Sequence, residues 1–418
     1  MATFMLAWEL GGGLGHAVPL SQISRPLLDD GHRVHAVLRD LSTATAAFGD
    51  LARHPGLSLW QAPVWLSALR GLPESATYAE LLFRAGFLDA RRLLGLTLGW
   101  RSVLAALTPD LVIADHAPTL LLALRGLPIL RTTIGTGFFQ PPAVSPIPPF
   151  RVWDAIDPSR VVQSEARALA TANAVLQSLG AAPLAKLHEL LAVDENFLLT
   201  WREVDHYAQR AADLGQHYWG PLPTAMHGVD PVWPEGDLPR VFAYLKGEYG
   251  AVDSLVAALA KAPFRTCAFI PGLAPELALK HTTPRLSFVT APVNMAQVCR
   301  TADAVLCNAG SGTVCTVLRA GIPVVMLPMH AEQLLFARRV AEAGAGLYLT
   351  EADARQRGVP ALQRLLGERV YREGARALAE RYSIDGARDV AKAVAARCIS
   401  LVTTGAASTR EPGHPLPP

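Results

Sequence analysis

The chain has 418 residues, 50% hydrophobic and 18% charged, which supplies apolar side chains for two buried cores and argues against extended disorder. Its formal net charge of +2 offers no basic face for nucleic acid, so no nucleic-acid partner is expected and small-molecule chemistry is favoured. No apolar run approaches the roughly 18 residues of a membrane span, and the N-terminus lacks the basic stretch and cleavage site of a secretory signal, so a cytoplasmic protein is expected.

Residues 3–8 (TFMLAW) read as a buried strand and Gly11-Gly12-Gly13-Leu14-Gly15-His16 as a tight turn. A helix is predicted from about Pro19 to Asp30, ending at Gly31 and kinked by Pro26, with HRVHAVL as the second strand. Strand, turn, helix and strand in that order begin a doubly wound α/β sheet. From Leu59 to Thr108 the pattern is helical and irregular, with more leucines and aromatics than one amphipathic face needs. It reads as a helical layer on the sheet, or as a layer that also walls an apolar cleft. PDLVIAD (109–115) and LPILRTT (127–133) are further buried strands. The loop 135–150 carries Phe138, Phe139 and Phe150, which suit either an apolar ligand or the core.

The stretch 220–239 holds five prolines and no hydrophobic period, and is the predicted linker. After it the α/β alternation restarts with RVFAYLK, a helix over DSLVAALAKA, then TCAFI, LSFVT, ADAVLCN, a helix after Gly312, and PVVMLP. The domains are therefore expected at 1–219 and 240–400, with a disordered tail over 403–418. The five cysteines (Cys267, Cys299, Cys307, Cys315, Cys398) are odd in number and form no CxxC pair. They read as reduced thiols, with no metal site expected.

The glycine turn resembles a dinucleotide fingerprint and fails it, because the place of the third glycine is taken by His16. A histidine there sits at the carboxyl edge of the first strand, where open α/β sheets bind ligands, and its ordinary pKa suits a general base. Asp115 ends a later strand and would reach the same edge, where a carboxylate fixes the tautomer of the imidazole. Aspartate at a strand end also caps helices, and a histidine there can simply bond the turn. In the second half DAVLCN runs into Ala309-Gly310-Ser311-Gly312-Thr313 ahead of a helix, whose amide groups and dipole make an anion site. The P-loop lysine is missing, which points to a nucleotide-linked donor and away from a nucleoside triphosphatase.

NAGSGT, then Gly321-Ile322-Pro323, then Pro328-Met329-His330-Ala331-Glu332-Gln333 resembles the donor-binding signature of family 1 nucleotide-sugar glycosyltransferases. GGGLGHAVPL, Gly31-His32, PDLVIAD, Gly220-Pro221-Leu222 and Val293-Asn294 agree in order, and the VN pair with GSGT is similar to the bacterial natural-product branch. The resemblance covers nearly the whole chain to about residue 395. It implies the GT-B architecture, two facing Rossmann-like domains with a cleft between them, the first binding acceptor and the second the nucleotide sugar. It further implies His16 as base and Asp115 as its orienting partner. Gly310, Ser311, Gly312 and Thr313 would hold the diphosphate, Glu332 and Gln333 the sugar hydroxyls, and Asn294 would lie near the nucleoside. Gly12, Gly13, Phe138 and Phe139 would border the acceptor.

The implied reaction is inverting transfer of a hexose from a UDP or dTDP sugar to a hydroxyl of a small apolar acceptor. It needs no cofactor and no metal. Asn308 replaces a histidine that contacts phosphate in the family, and Lys246 could restore the positive charge. Thr316 stands where plant relatives have a glutamate, as in the bacterial branch, and Glu332 replaces the commoner aspartate. Two alternatives are open. One is a lipid-linked acceptor with peripheral membrane contact through Arg84, Arg91, Arg92 and Arg101; the other is a non-catalytic homologue that binds another transferase.

Overall fold

The computed structural model describes residues 1–66, 70–223, 228–383 and 389–408. They form two compact units. The first comprises Met1–Leu199, Ala212–Gly220 and the helix Val390–Ser408. The second comprises Thr200–Ala211 and Pro221–Arg388.

The first unit is built on a six-stranded parallel sheet. Its strands are β1 (Thr3–Trp8), β2 (Arg33–Leu38), β3 (Leu57–Gln61), β4 (Leu111–Asp115), β5 (Leu130–Gly135) and β6 (Glu195–Leu198), in the order β3-β2-β1-β4-β5-β6. Every residue of β4 is buried, as are Phe4 to Trp8 of β1. These are the near-continuous apolar runs that a sheet covered on both faces requires. The register pairs Trp8 with Asp115, so the ends of β1 and β4 lie side by side. Trp100, Leu104 and Leu107 of the helix Ala90–Leu107 and Ala168, Ala172 and Val175 of the helix Pro158–Ser178 pack into one cluster with Met5, Val112 and Ala114.

The second unit repeats the plan with β7 (Arg240–Tyr244), β8 (Arg265–Phe269), β9 (Leu286–Val289), β10 (Ala304–Cys307), β11 (Val324–Met326) and β12 (Gly346–Tyr348), in the order β12-β11-β10-β7-β8-β9. Its pleat divides the core in two. Val241, Ala243, Ala304, Leu306 and Val325 face one layer, while Phe242, Val305, Cys307, Val324 and Met326 face the other. The five cysteines are free thiols. Burial pushes those of Cys307 and Cys315 up to about 12.

Several boundaries differ from those expected. The first helix starts at Leu14, well before Pro19, and runs through Pro19 and Pro26 to Asp29. The final helix reaches Ser408, so 403–408 are helical where a disordered tail was expected, and 409–418 lie outside the described residues. That helix packs with the first unit, against the helix Leu14–Asp29, and not with the second domain as expected. Thr200–Ala211 also change sides and join the second unit. The linker keeps one parallel bridge, between Val229 and Val293, and its residues 224–227 are outside the described set. Among the described residues, no helix is long and apolar enough to cross a membrane.

Candidate active site

At the carboxyl edge of the first sheet, the chain leaves β1 through glycines and enters a helix whose third residue is His16. Gly13 caps that helix with φ 73°, a left-handed conformation that glycine takes without strain. His16 Nδ1 lies 3.0 Å from Asp115 Oδ2. Asp115 is 5% exposed, and the indole of Trp8 stacks on the imidazole at 5.4 Å between centroids. A buried carboxylate facing Nδ1 holds the proton there and leaves Nε2 as the basic nitrogen. The structure thus brings His16 and Asp115 together as a hydrogen-bonded pair.

Two neighbours of the dyad are absent from the expected set. Gly11 has φ 89°, and a β-carbon on it would overlap His16 Nε2. Only a residue without a β-carbon fits against that nitrogen. His116 follows Asp115 with φ 42°, and its ring stacks on Phe139 at 3.4 Å. Burial, and secondarily the nearby His16, hold the His116 imidazole well below its ordinary range. Sequence offered no signal for either role beyond adjacency to the motif. Phe138 and Phe139 part company: Phe138 is buried and edge-on to Phe150, while Phe139 lies by the two histidines. Gly12 and Gly13 are exposed, and added β-carbons there would meet nothing within 4 Å.

The arginines read as headgroup contacts are largely engaged. Arg84 donates to Ser75 Oγ and the Pro73 carbonyl. Arg92 pairs with Asp89 and lies over Trp65. Arg101 donates to the Arg125 carbonyl.

In the second unit, β10 ends at Cys307 and the chain turns through Asn308 and Ala309, the latter at φ 57°, into the helix Ser311–Arg319. Gly310 is the cap and bears no side chain to satisfy the helix start, so the amides of Ser311, Gly312 and Thr313 have no side-chain cap. Asn308 is buried, its Nδ2 donates to Leu327 O at 2.9 Å, and its Oδ1 accepts from Lys246 N at 2.8 Å. The amide thus ties the ends of β7 and β11 to the turn. The Lys246 side chain is exposed, with Nζ 3.8 Å from Glu248 Oε1.

Gln333 Oε1 accepts from Met329 N at 2.8 Å, fixing the start of the helix Ala331–Glu342 on which Glu332 is the second residue. Tyr207, from Thr200–Ala211, is buried in the field of Glu332 and of the ion pair Asp205–Arg210, which is itself buried. Asn294 caps the helix Met295–Thr301 through Ala296 N and donates to Asp230. Thr316 Oγ1 donates to the Gly312 carbonyl within its helix. Among the described residues no group of three or more His, Cys, Asp or Glu could hold a metal ion.

Two parallel sheets of this order, each with its ligand-type loops at the carboxyl edge, define a GT-B protein. Over 98% of this chain the fold matches the calicheamicin glycosyltransferase CalG4, with a TM-score of 0.70, 20% identity and 99% of that chain covered. A Streptomyces glycosyltransferase, SsfS6, solved with thymidine diphosphate, matches over 92% of this chain and 96% of its own, with a TM-score of 0.59 and 17% identity. Residues 279–401 match the family model of the erythromycin biosynthesis protein CIII-like C-terminal domain. A rhamnosyltransferase of PGL/p-HBAD biosynthesis from Mycobacterium bovis is 28% identical over 299 residues, 68% of this chain. The match spans 66% of that relative's length. The chain thus has the GT-B fold seen in these glycosyltransferases, and its residues 279–401 are similar to the EryCIII-like C-terminal domain.

Proposed function

We propose that the protein is an inverting glycosyltransferase that moves a hexose from a UDP or dTDP sugar to a hydroxyl of a small apolar acceptor. The observation that carries this reading is the His16–Asp115 pair, with Nδ1 on the carboxylate and Nε2 turned toward Gly11. Nε2 takes the acceptor proton as the oxygen attacks the anomeric carbon, and Asp115 stabilises the resulting imidazolium. The bond to the diphosphate breaks on the opposite face, which inverts the anomeric centre. Charge then gathers on the departing diphosphate, where the amides opening the helix Ser311–Arg319 supply positive potential. Lys246 adds a formal charge at the neighbouring strand end, and Glu332 and Gln333 hold sugar hydroxyls. In this account no cofactor or metal takes part.

The relatives support the donor class: one matched structure holds thymidine diphosphate and one relative is a rhamnosyltransferase. Retention of a formed dyad favours an enzyme over a non-catalytic binding homologue. A thermal-stabilisation screen of UDP and dTDP hexoses tests the donor half, since a ligand at 100 times its Kd adds roughly 2.7 kcal/mol. At least one donor should raise the melting temperature, and Lys246→Met should weaken that donor markedly. A panel without effect would sink the donor assignment. Unchanged donor affinity in Lys246→Met would remove the lysine from it.

A further inference from the structure

Glu9 follows the apolar strand β1 directly and is fully buried. Its Oε2 accepts from Thr119 N at 2.9 Å and from Leu120 N at 3.3 Å, the first two amide donors of the helix Pro118–Ala123. That helix begins two residues after His116, and Asp115 ends β4 just before it. The next residue repeats the clamp through the backbone, with Leu10 N donating to His116 O at 3.0 Å. On its other side Trp8 stacks on His16 and its Nε1 donates to Leu10 O at 2.7 Å. Arg39 Nη1 closes the set on the Glu9 carbonyl at 2.9 Å. Residues 8–10 therefore grip both members of the dyad, the base through the indole and the carboxylate through the turn that follows it.

We propose that Glu9 is a positioning residue for the His16–Asp115 pair, its carboxylate fixing the turn Asp115-His116-Ala117 so that Oδ2 meets Nδ1. The inference rests on the reading of that pair as the base. The charged and titratable groups around the site are Asp115 on β4, His116 on the turn and Arg39 after β2. Glutamine keeps the accepting oxygen, so it preserves the clamp. Alanine leaves two buried amides without a partner and frees the turn.

The test follows the His16 Nδ1 proton by NMR in full-length protein labelled with 15N-histidine, assigned against His16→Ala and Asp115→Asn. Its downfield position reports the hydrogen bond to the carboxylate. Glu9→Ala should move it upfield as Asp115→Asn does, and should lower kcat on the order of 10²-fold, as small misplacements of reacting groups do, with KM unchanged. Glu9→Gln should restore both. Should the alanine variant fail to fold, Glu9→Asp, one methylene too short for the two amides, is read in the same way. A folded Glu9→Ala or Glu9→Asp with wild-type resonance and kcat would overturn the proposal, as would a glutamine variant as damaged as alanine. Absence of sugar transfer in the wild type would instead overturn the proposed function, because the resonance decides the Glu9 question alone.

Discussion

Gly11 occupies the one place where a methyl group would press on the basic nitrogen of His16, and its φ of 89° is already a conformation that side chains rarely adopt. Gly11→Ala should therefore displace the imidazole and cost on the order of 10² to 10⁴ in kcat, the range for loss of a general base. Gly15→Ala is the control, since a β-carbon there meets nothing within 4 Å. Equal kcat in the two variants would show that the overlap at Gly11 is relieved by backbone movement. His16 and Asp115 were legible because a histidine broke a glycine pattern and an aspartate ended an apolar strand. Gly11 was not singled out, because φ and the direction of a neighbouring ring are not written in residue type. The tie that Asn308 makes between two strand ends was equally hidden, because residue type does not say which backbone groups an amide meets.

Among the elements, the central strands announced themselves, whereas the edge strands β3 and β12 did not. TFMLAW and LVIAD are apolar throughout because both faces are covered, whereas β3 ends in an exposed Trp60-Gln61 and β12 has only three residues. The early start of the first helix was hidden because Gly13 caps it without a side chain and Pro19 removes an interior donor. The carbonyl that loses this partner belongs to the exposed Gly15, which water can reach. Glu9 ties a helix start to a strand end at a measurable cost. Burial, the largest influence, pushes its carboxyl up to about 7 despite the donors of Thr119 and Leu120 and the charge of Arg39. A raised folded-state value means that the folded protein binds the extra proton, so its contribution is present below pH 4.5 and lost as pH rises through about 7. Relative to Glu9→Gln, the wild type should lose about 3 kcal/mol of unfolding free energy over that range. Urea titrations of both proteins from pH 5 to 8 check this, and parallel pH profiles would contradict it.

For the whole molecule, two units of one plan each place polar groups at the carboxyl edge of their sheet: the His16–Asp115 pair on the first, and on the second a helix start with no side-chain cap, with Lys246 at the neighbouring strand end. The restart of α/β alternation after the proline-rich stretch made the two-unit plan legible. The crossings of Thr200–Ala211 and of the final helix were not, since amphipathic pattern says that a segment is packed and not which core receives it. The most direct test is to incubate a stabilising UDP or dTDP hexose with a panel of apolar hydroxyl acceptors and read the anomeric configuration of the product by NMR, for the wild type and for His16→Ala. Inversion relative to the donor, lost in His16→Ala by on the order of 10² to 10⁴ in rate, is the predicted result. Retention of configuration, or undiminished transfer without the histidine, would contradict it.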